Sequence, residues 1–133
     1  MDCDFTHSPE YIKDFISNSE GYDVVVGSRF LKKDSLSSWS LFRKFLSYTR
    51  HFLTRVLLGM PYDAGGAFRL YKLNKIKPGI FNLVNSKSYS FFFESLFILH
   101  TNNYKIKEIP TVLPSRIYGH SKMTFKDVKT SII

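Results

Sequence analysis

The chain has 133 residues, 44% of them hydrophobic, which suits one folded domain and excludes a disordered tail. A formal net charge of +8 with 17% aromatic residues favours an anionic partner: nucleic acid, a phosphate-bearing substrate or an acidic membrane surface. The single cysteine, Cys3, excludes an internal disulfide framework and a cysteine-built zinc site, and fits a reducing compartment. No apolar run reaches the roughly 18 residues of a membrane-spanning helix, and Asp2 and Asp4 stand where a secretory leader would carry basic residues. The expectation is one domain, cytoplasmic or peripheral to a membrane, without repeats.

The opening "MDCDFTHSPEYI" places two carboxylates at i and i+2. In a turn after a strand, both reach one hard cation such as Mg2+ or Mn2+ and leave positions open for phosphate oxygens; the alternative is a solvated terminus. "SPEYIKDFISNSE" predicts a short amphipathic helix, with Ser8 as N-cap, Pro9 at the first helical position and Tyr11, Ile12, Phe15 and Ile16 at helical spacing. "YDVVVGSRF" is a continuous apolar run closed by Gly27 and predicts a buried strand, and "LKKDSLSS" predicts a mobile loop. From Ser38 to about Leu58 a longer helix is expected, with Trp39, Phe42, Leu46, Leu53, Val56 and Leu57 on apolar faces. Arg43, Ser47, Arg50 and Thr54 form one polar stripe along it.

Gly59, Pro61, Gly65 and Gly66 end that helix, and "GAFRLY" follows as a strand. "SYSFFFESLFILHTNN" predicts a buried helix carrying one acid, Glu94, whose desolvation calls for a cation, Arg69 being a candidate. "YKIKEIPTVLP" alternates as a strand ending at Pro114. The order, roughly αβααβαβ, belongs to the α/β class. His7 and His51 read as structural.

Taken in order, "MDCDFTHSPEYI", "YDVVVGSRF", "WSLFRKFLS", "DAGGAFRLY", "SYSFFFE" and "EIPTVLPSRIYGHSKM" resemble the dolichol- and polyprenol-phosphate mannosyltransferases among the family 2 glycosyltransferases, over nearly the whole chain. The resemblance implies a GT-A, Rossmann-like fold of which residues 1–133 hold the C-terminal half. It implies inverting transfer of a hexose, mannose by default, from a nucleotide-diphosphate sugar (GDP-mannose, or UDP-glucose) to a polyprenyl or dolichyl phosphate. Asp2, Asp4 and Thr6 then match the metal motif, with Asp2 toward the nucleotide. Arg29, Arg43 and Ser47 match positions gripping the lipid phosphate. Arg116, Ser121 and Lys122 match the segment that closes over the donor diphosphate, with Gly119 giving it freedom to move, and Glu94 matches an acid beside the donor site. Asp4 and Arg116 are the residues the resemblance puts closest to the chemistry. Surface arginines on a solvated face, and a basic loop around Arg116, are the plainer alternatives.

Asp63 precedes a glycine pair as in the family's Asp-x-x-Gly-Phe-Arg segment, with Ala67 inserted between Gly66 and Phe68, and His51 stands where relatives often carry Asn. The βα units and "PxxNE"-like turn that hold the nucleotide base in the family precede the acid pair there and are not in this sequence, so the resemblance also admits an inactive fragment, or a relative that extends glycans. No catalytic base is required, because a phosphate monoester is ionised at neutral pH and needs positioning and a neutralised leaving group. The helix with Trp39, Phe42, Phe45 and Phe52, with the lysines of "FLKKD", is expected either to sit on an anionic leaflet or to pack as core. A basic nucleic-acid-binding module is the rival from another class, but the chain lacks an RNP-like segment, helix-turn-helix signature or zinc spacing.

Overall fold

The computed structural model describes residues 7–112. Its elements are α1 (Tyr11–Ser17), β1 (Val24–Ser28), α2 (Leu41–Leu58), β2 (Arg69–Tyr71), α3 (Ser90–Thr101) and β3 (Ile106–Pro110), with 3-10 turns at Lys33–Leu36 and Ile80–Leu83. This is an α/β arrangement with one helix fewer than the expected order. The sheet is small and mixed, in the order β2-β1-β3. β1 runs antiparallel to β2, with Val25 opposite Leu70, and parallel to β3, with Val25 opposite Lys107.

The apolar run of β1 is central because both its faces are covered, and all five of its residues are buried. Its two-residue period divides the core. Val24 and Val26 pack with Met60, Ile76, Leu96, Leu99 and Ile106 against α3, whereas Val25 packs with Phe15, Phe68 and Ile109 on the α1 side. α1 contributes little more than Phe15 and Tyr11, and Ile12 and Ile16 stay exposed. Its Ser8 hydroxyl accepts from the Glu10 amide, so the chain enters the helix through a turn two residues later than the sequence suggests.

The stretch expected as a mobile loop is anchored. Its 3-10 turn buries Ser35 and Leu36, and Trp39 is buried just beyond it. The Ser40 hydroxyl then accepts from the Arg43 amide to cap α2, and Gly59, at φ 63°, closes the helix in the left-handed region that glycine enters without strain.

α2 is turned inside out. Its inward residues are the half-buried Lys44, Ser47 and His51 and the buried Thr54. Leu41, Phe42, Phe45, Leu46, Phe52, Val56 and Leu57 all face solvent, Leu41 being 83% and Leu57 73% exposed. The apolar stripe therefore forms, at helical spacing, but does not serve as core among the described residues. No helix of these residues is long and apolar enough to cross a membrane.

Gly27 has no room for a side chain, because an added β-carbon would lie 2.9 Å from Thr111 Cγ2, 3.1 Å from Phe15 Cζ and 3.2 Å from the Phe68 carbonyl oxygen. Gly27→Ala is expected to cost about 1–3 kcal/mol through overpacking, read as a lowered urea midpoint with an unchanged slope.

A candidate phosphate site at the carboxyl end of the parallel strands

β1 and β3 run parallel and end side by side, Ser28 pairing with Pro110 and the Thr111 amide donating to the Ser28 carbonyl. Ligands of α/β sheets gather outside such carboxyl ends. The first side chain past β1 is Arg29, and its fork meets Asp63: Nε donates to Oδ2 at 2.7 Å, Nη2 to Oδ1 at 2.6 Å, and the Arg29 amide to Oδ2 at 3.1 Å. Asp63 is only 1% exposed and Arg29 11%. Burial alone would raise the Asp63 pKa, but the hydrogen bonds and charge of Arg29 outweigh it and hold the carboxyl below the usual range.

β3 supports the pair from beneath, since Glu108 Oε1 accepts from the Asp63 amide at 2.6 Å and the Ser28 hydroxyl also bonds Glu108. Burial raises the pKa of Glu108 despite these bonds. α2 supplies the opposite wall. The guanidinium carbon of Arg43 lies 3.7 Å from the centre of the Trp39 ring, and that of Arg29 lies 5.8 Å from the same ring. His51 stacks on Phe30 with centroids 4.2 Å apart, joining α2 to the residue after Arg29. Burial lowers the His51 pKa, and its Nδ1 has no partner among the described residues.

The structure thus brings Arg29 and Arg43 to one aromatic ring, with Ser47 one turn further along the inward face of α2. Glu94 is elsewhere: its carboxylate accepts from the amides of Asn85 (3.1 Å) and Ser86 (2.7 Å). The Ser86 hydroxyl and these amides hold its pKa below the ordinary value. The expected pairing of Glu94 with Arg69 does not form. Arg69 instead donates from Nη1 and Nη2 to the carbonyls of Phe92 and Ala64, so backbone oxygens take two of its donor groups where the sequence suggested an acid, and its Nε has no partner among the described residues.

Asp2, Asp4, Thr6, Arg116, Ser121 and Lys122 lie outside the described residues, and among the described residues no group of three or more His, Cys, Asp or Glu side chains could hold a metal. The last described residues at each end meet beside Phe68. His7 stacks on its ring at 4.7 Å, and the Val112 amide donates to the hydroxyl of Tyr11, whose ring contacts Phe68 edge-on at 6.2 Å.

Sequence reasoning missed the Asp63 partner of Arg29 and the role of Glu108. The only advance signal was the position of Asp63 ahead of a glycine pair.

The chain is similar to curated proteins, two of which bear on the site. It is 27% identical over 134 residues to polyprenol monophosphomannose synthase of Mycolicibacterium smegmatis, covering 99% of this chain and 51% of that protein. It is 27% identical over 125 residues to undecaprenyl-phosphate mannosyltransferase of Micrococcus luteus, covering 93% and 51%. The chain therefore spans about half the length of these relatives. No family model matches it, and no solved structure matches it.

Two outcomes follow for the buried acids. Asp63→Asn leaves Arg29 buried without its counter-charge and is expected to cost about 3–5 kcal/mol in urea unfolding at pH 7. The pH dependence has two signs. Asp63, with its pKa depressed, stabilises fully above its unfolded value of about 3.9, and that stability is lost as pH falls through its lower folded value. Glu108, with its pKa raised, opposes folding when ionised, so acidification toward its unfolded value of about 4.3 gains stability. Glu108→Gln should abolish the gain on mild acidification and keep the loss below about pH 4.

Proposed function

We propose that the chain carries the acceptor-binding part of a GT-A glycosyltransferase that moves a hexose, mannose in the first instance, from a nucleotide-diphosphate sugar to a polyprenyl phosphate. The observation that carries this reading is the convergence of Arg29 and Arg43 on Trp39, at the carboxyl end of parallel strands and beside a helix whose apolar side faces outward. The likeness of nearly the whole chain to two proteins named for polyprenyl-phosphate mannose transfer supports it.

In this reading the acceptor arrives from a membrane surface. α2 lies along the anionic leaflet with Phe42, Phe45, Phe52 and Leu57 in the headgroup boundary, and Lys32, Lys33 and Arg43 meet the lipid charge. The phosphate of the lipid then reaches Arg43 and Ser47 without leaving the interface. Arg29, its fork committed to Asp63, adds positive potential and fixes the wall against which the phosphate rests.

A phosphate monoester has a second pKa of about 6 and needs no base at neutral pH. One of its oxygens attacks the anomeric carbon of the donor, a new C–O bond forms, and the bond to the nucleoside diphosphate breaks with inversion. Arg116, Ser121 and Lys122 would neutralise the departing diphosphate. The hard oxygen donors of Asp2, Asp4 and Thr6 suit Mg2+ or Mn2+, which when bound would add charge stabilisation there.

Two measurements check the reading. Expressed from its uninterrupted reading frame and given labelled GDP-mannose, undecaprenyl phosphate and Mg2+, the protein should put label into organic-extractable lipid, and Asp4→Asn should abolish this. A product of retained configuration would sink the inverting mechanism. Failure to extract any label, with UDP-glucose in place of GDP-mannose as well, would sink the transfer. In flotation, phosphatidylglycerol vesicles should carry the chain better than phosphatidylcholine vesicles, and replacing Phe42, Phe45 and Phe52 by Ser should release it. Indifference to lipid would remove α2 from the membrane.

A further inference from the structure

Among the glycines of the described residues, Gly65 has the tightest surroundings. A β-carbon built on it would lie 2.0 Å from Nη2, 2.5 Å from Cζ and 2.6 Å from Nη1 of Arg50. The planar end of Arg50 thus rests directly on the Gly65 backbone, in a place that any other residue at 65 would fill. Gly65 is itself bound to the site, its amide donating to Asp63 Oδ1 at 3.3 Å. Although Arg50 as a residue is exposed, its guanidinium is held where burial and the charge of Arg29 both lower its pKa and Asp63 raises it.

This is an unfavourable position for a cation. Among the described residues no carboxylate forms an ion pair with Arg50, and the carboxylate nearest in charge, Asp63, is already gripped by the fork of Arg29. Arg43 stands on the same polar stripe of α2, seven residues and two turns earlier. The guanidinium groups of Arg29 and Arg50 therefore both act on Asp63, while Glu108 is turned to the Asp63 amide and the Ser28 hydroxyl. With Asp63 held by Arg29, Arg50 has no ion-paired carboxylate among the described residues, and a multiply charged oxyanion would supply the counter-charge.

We propose that Arg50, seated on Gly65, is a further phosphate-binding residue of this site and favours a doubly charged phosphate monoester over a singly charged diester. The inference rests on the acceptor-site reading above and deepens it. Arg29 acts chiefly through Asp63, whereas Arg50 reaches the anion from α2, two turns beyond Arg43. Gly65 is small because the seat must be empty for the guanidinium to occupy it.

The test uses geranyl phosphate, a monoester, and its methyl ester, a diester, titrated into the protein and into Arg50→Gln, Arg50→Lys, Gly65→Ala and Arg43→Gln variants, each with its melting temperature recorded. Arg50→Gln should weaken geranyl phosphate about tenfold, the usual worth of one charged hydrogen bond. It should also erase most of the preference for monoester over diester, which a purely structural role would not touch. Gly65→Ala should do the same by displacing the guanidinium, and the double variant should be no worse than Arg50→Gln alone. Should Gly65→Ala fail to fold, Arg50→Lys against Arg50→Gln decides: the lysine retains part of the preference if charge at this point is what counts. Unchanged affinity and preference in Arg50→Gln, with Arg43→Gln still weakened, would overturn the inference and leave the acceptor reading standing. Additive losses in the double variant would overturn the seat. No binding of geranyl phosphate by the unaltered protein would fell the acceptor reading itself and this inference with it.

Discussion

The buried pair of Arg29 and Asp63 is the contact to which the rest of the described structure is tied. An isolated carboxylate as buried as Asp63 would take up a proton or open the fold to water. The two-pronged fork of Arg29 removes that option and in doing so fixes the end of β1 against the loop that leads to β2. Glu108 then locks the same loop to β3 through the Asp63 amide, and Gly65, two residues on, receives Arg50 from α2. Two strands, a loop and a helix thus share one electrostatic joint. A buried ion pair is seldom worth much as net stability compared with apolar packing; its value here is directional, since any arrangement that parted Arg29 from Asp63 would leave both charges unpaired.

The same joint explains the inverted helix. The wall that α2 packs against is ionic, so the residues it presents inward are Lys44, Ser47, His51 and Thr54, and its leucines and phenylalanines are left outside. Contiguous exposed apolar surface of this kind marks an interaction face rather than an ordinary protein surface. The helix is therefore a partition, ionic on one side and oily on the other, and a lipid with a charged head and an apolar tail has the same two-sided character.

Much of the fold was readable in one dimension. The five-residue buried strand β1 follows from an uninterrupted apolar run, and α2 follows from its period and its closing Gly59, although it starts at Leu41 behind the Ser40 cap rather than at Ser38. Periodicity places an apolar stripe on a helix but does not say whether protein, water or lipid covers it, so the outward aspect of α2 is not legible in the sequence. The pairing of Arg29 with Asp63 spans 34 residues and that of Asp63 with Glu108 spans 45, and no local pattern encodes contacts at such range. Glu94 and Arg69 looked like natural partners because both interrupt apolar surroundings, yet backbone amides took the acid and backbone carbonyls took the base. Leu36 was hidden for a simpler reason: one leucine in a polar stretch carries no period, although it anchors the turn. The roles of Asp2, Asp4, Thr6, Arg116, Ser121 and Lys122 rest on resemblance, and all six lie outside the described residues.

Trp39 is the sole tryptophan of the chain, and it is buried beneath both Arg29 and Arg43. An indole flanked by two cations has an excited state that senses their field, and any anion drawn between those cations alters that field. The protein therefore carries its own optical probe between the two guanidinium groups, with no second indole to blur the signal. If the proposed acceptor reading holds, its emission colour and intensity should follow occupancy of the site, and quenching by lipid-borne heavy atoms would report how near the ring comes to a bilayer.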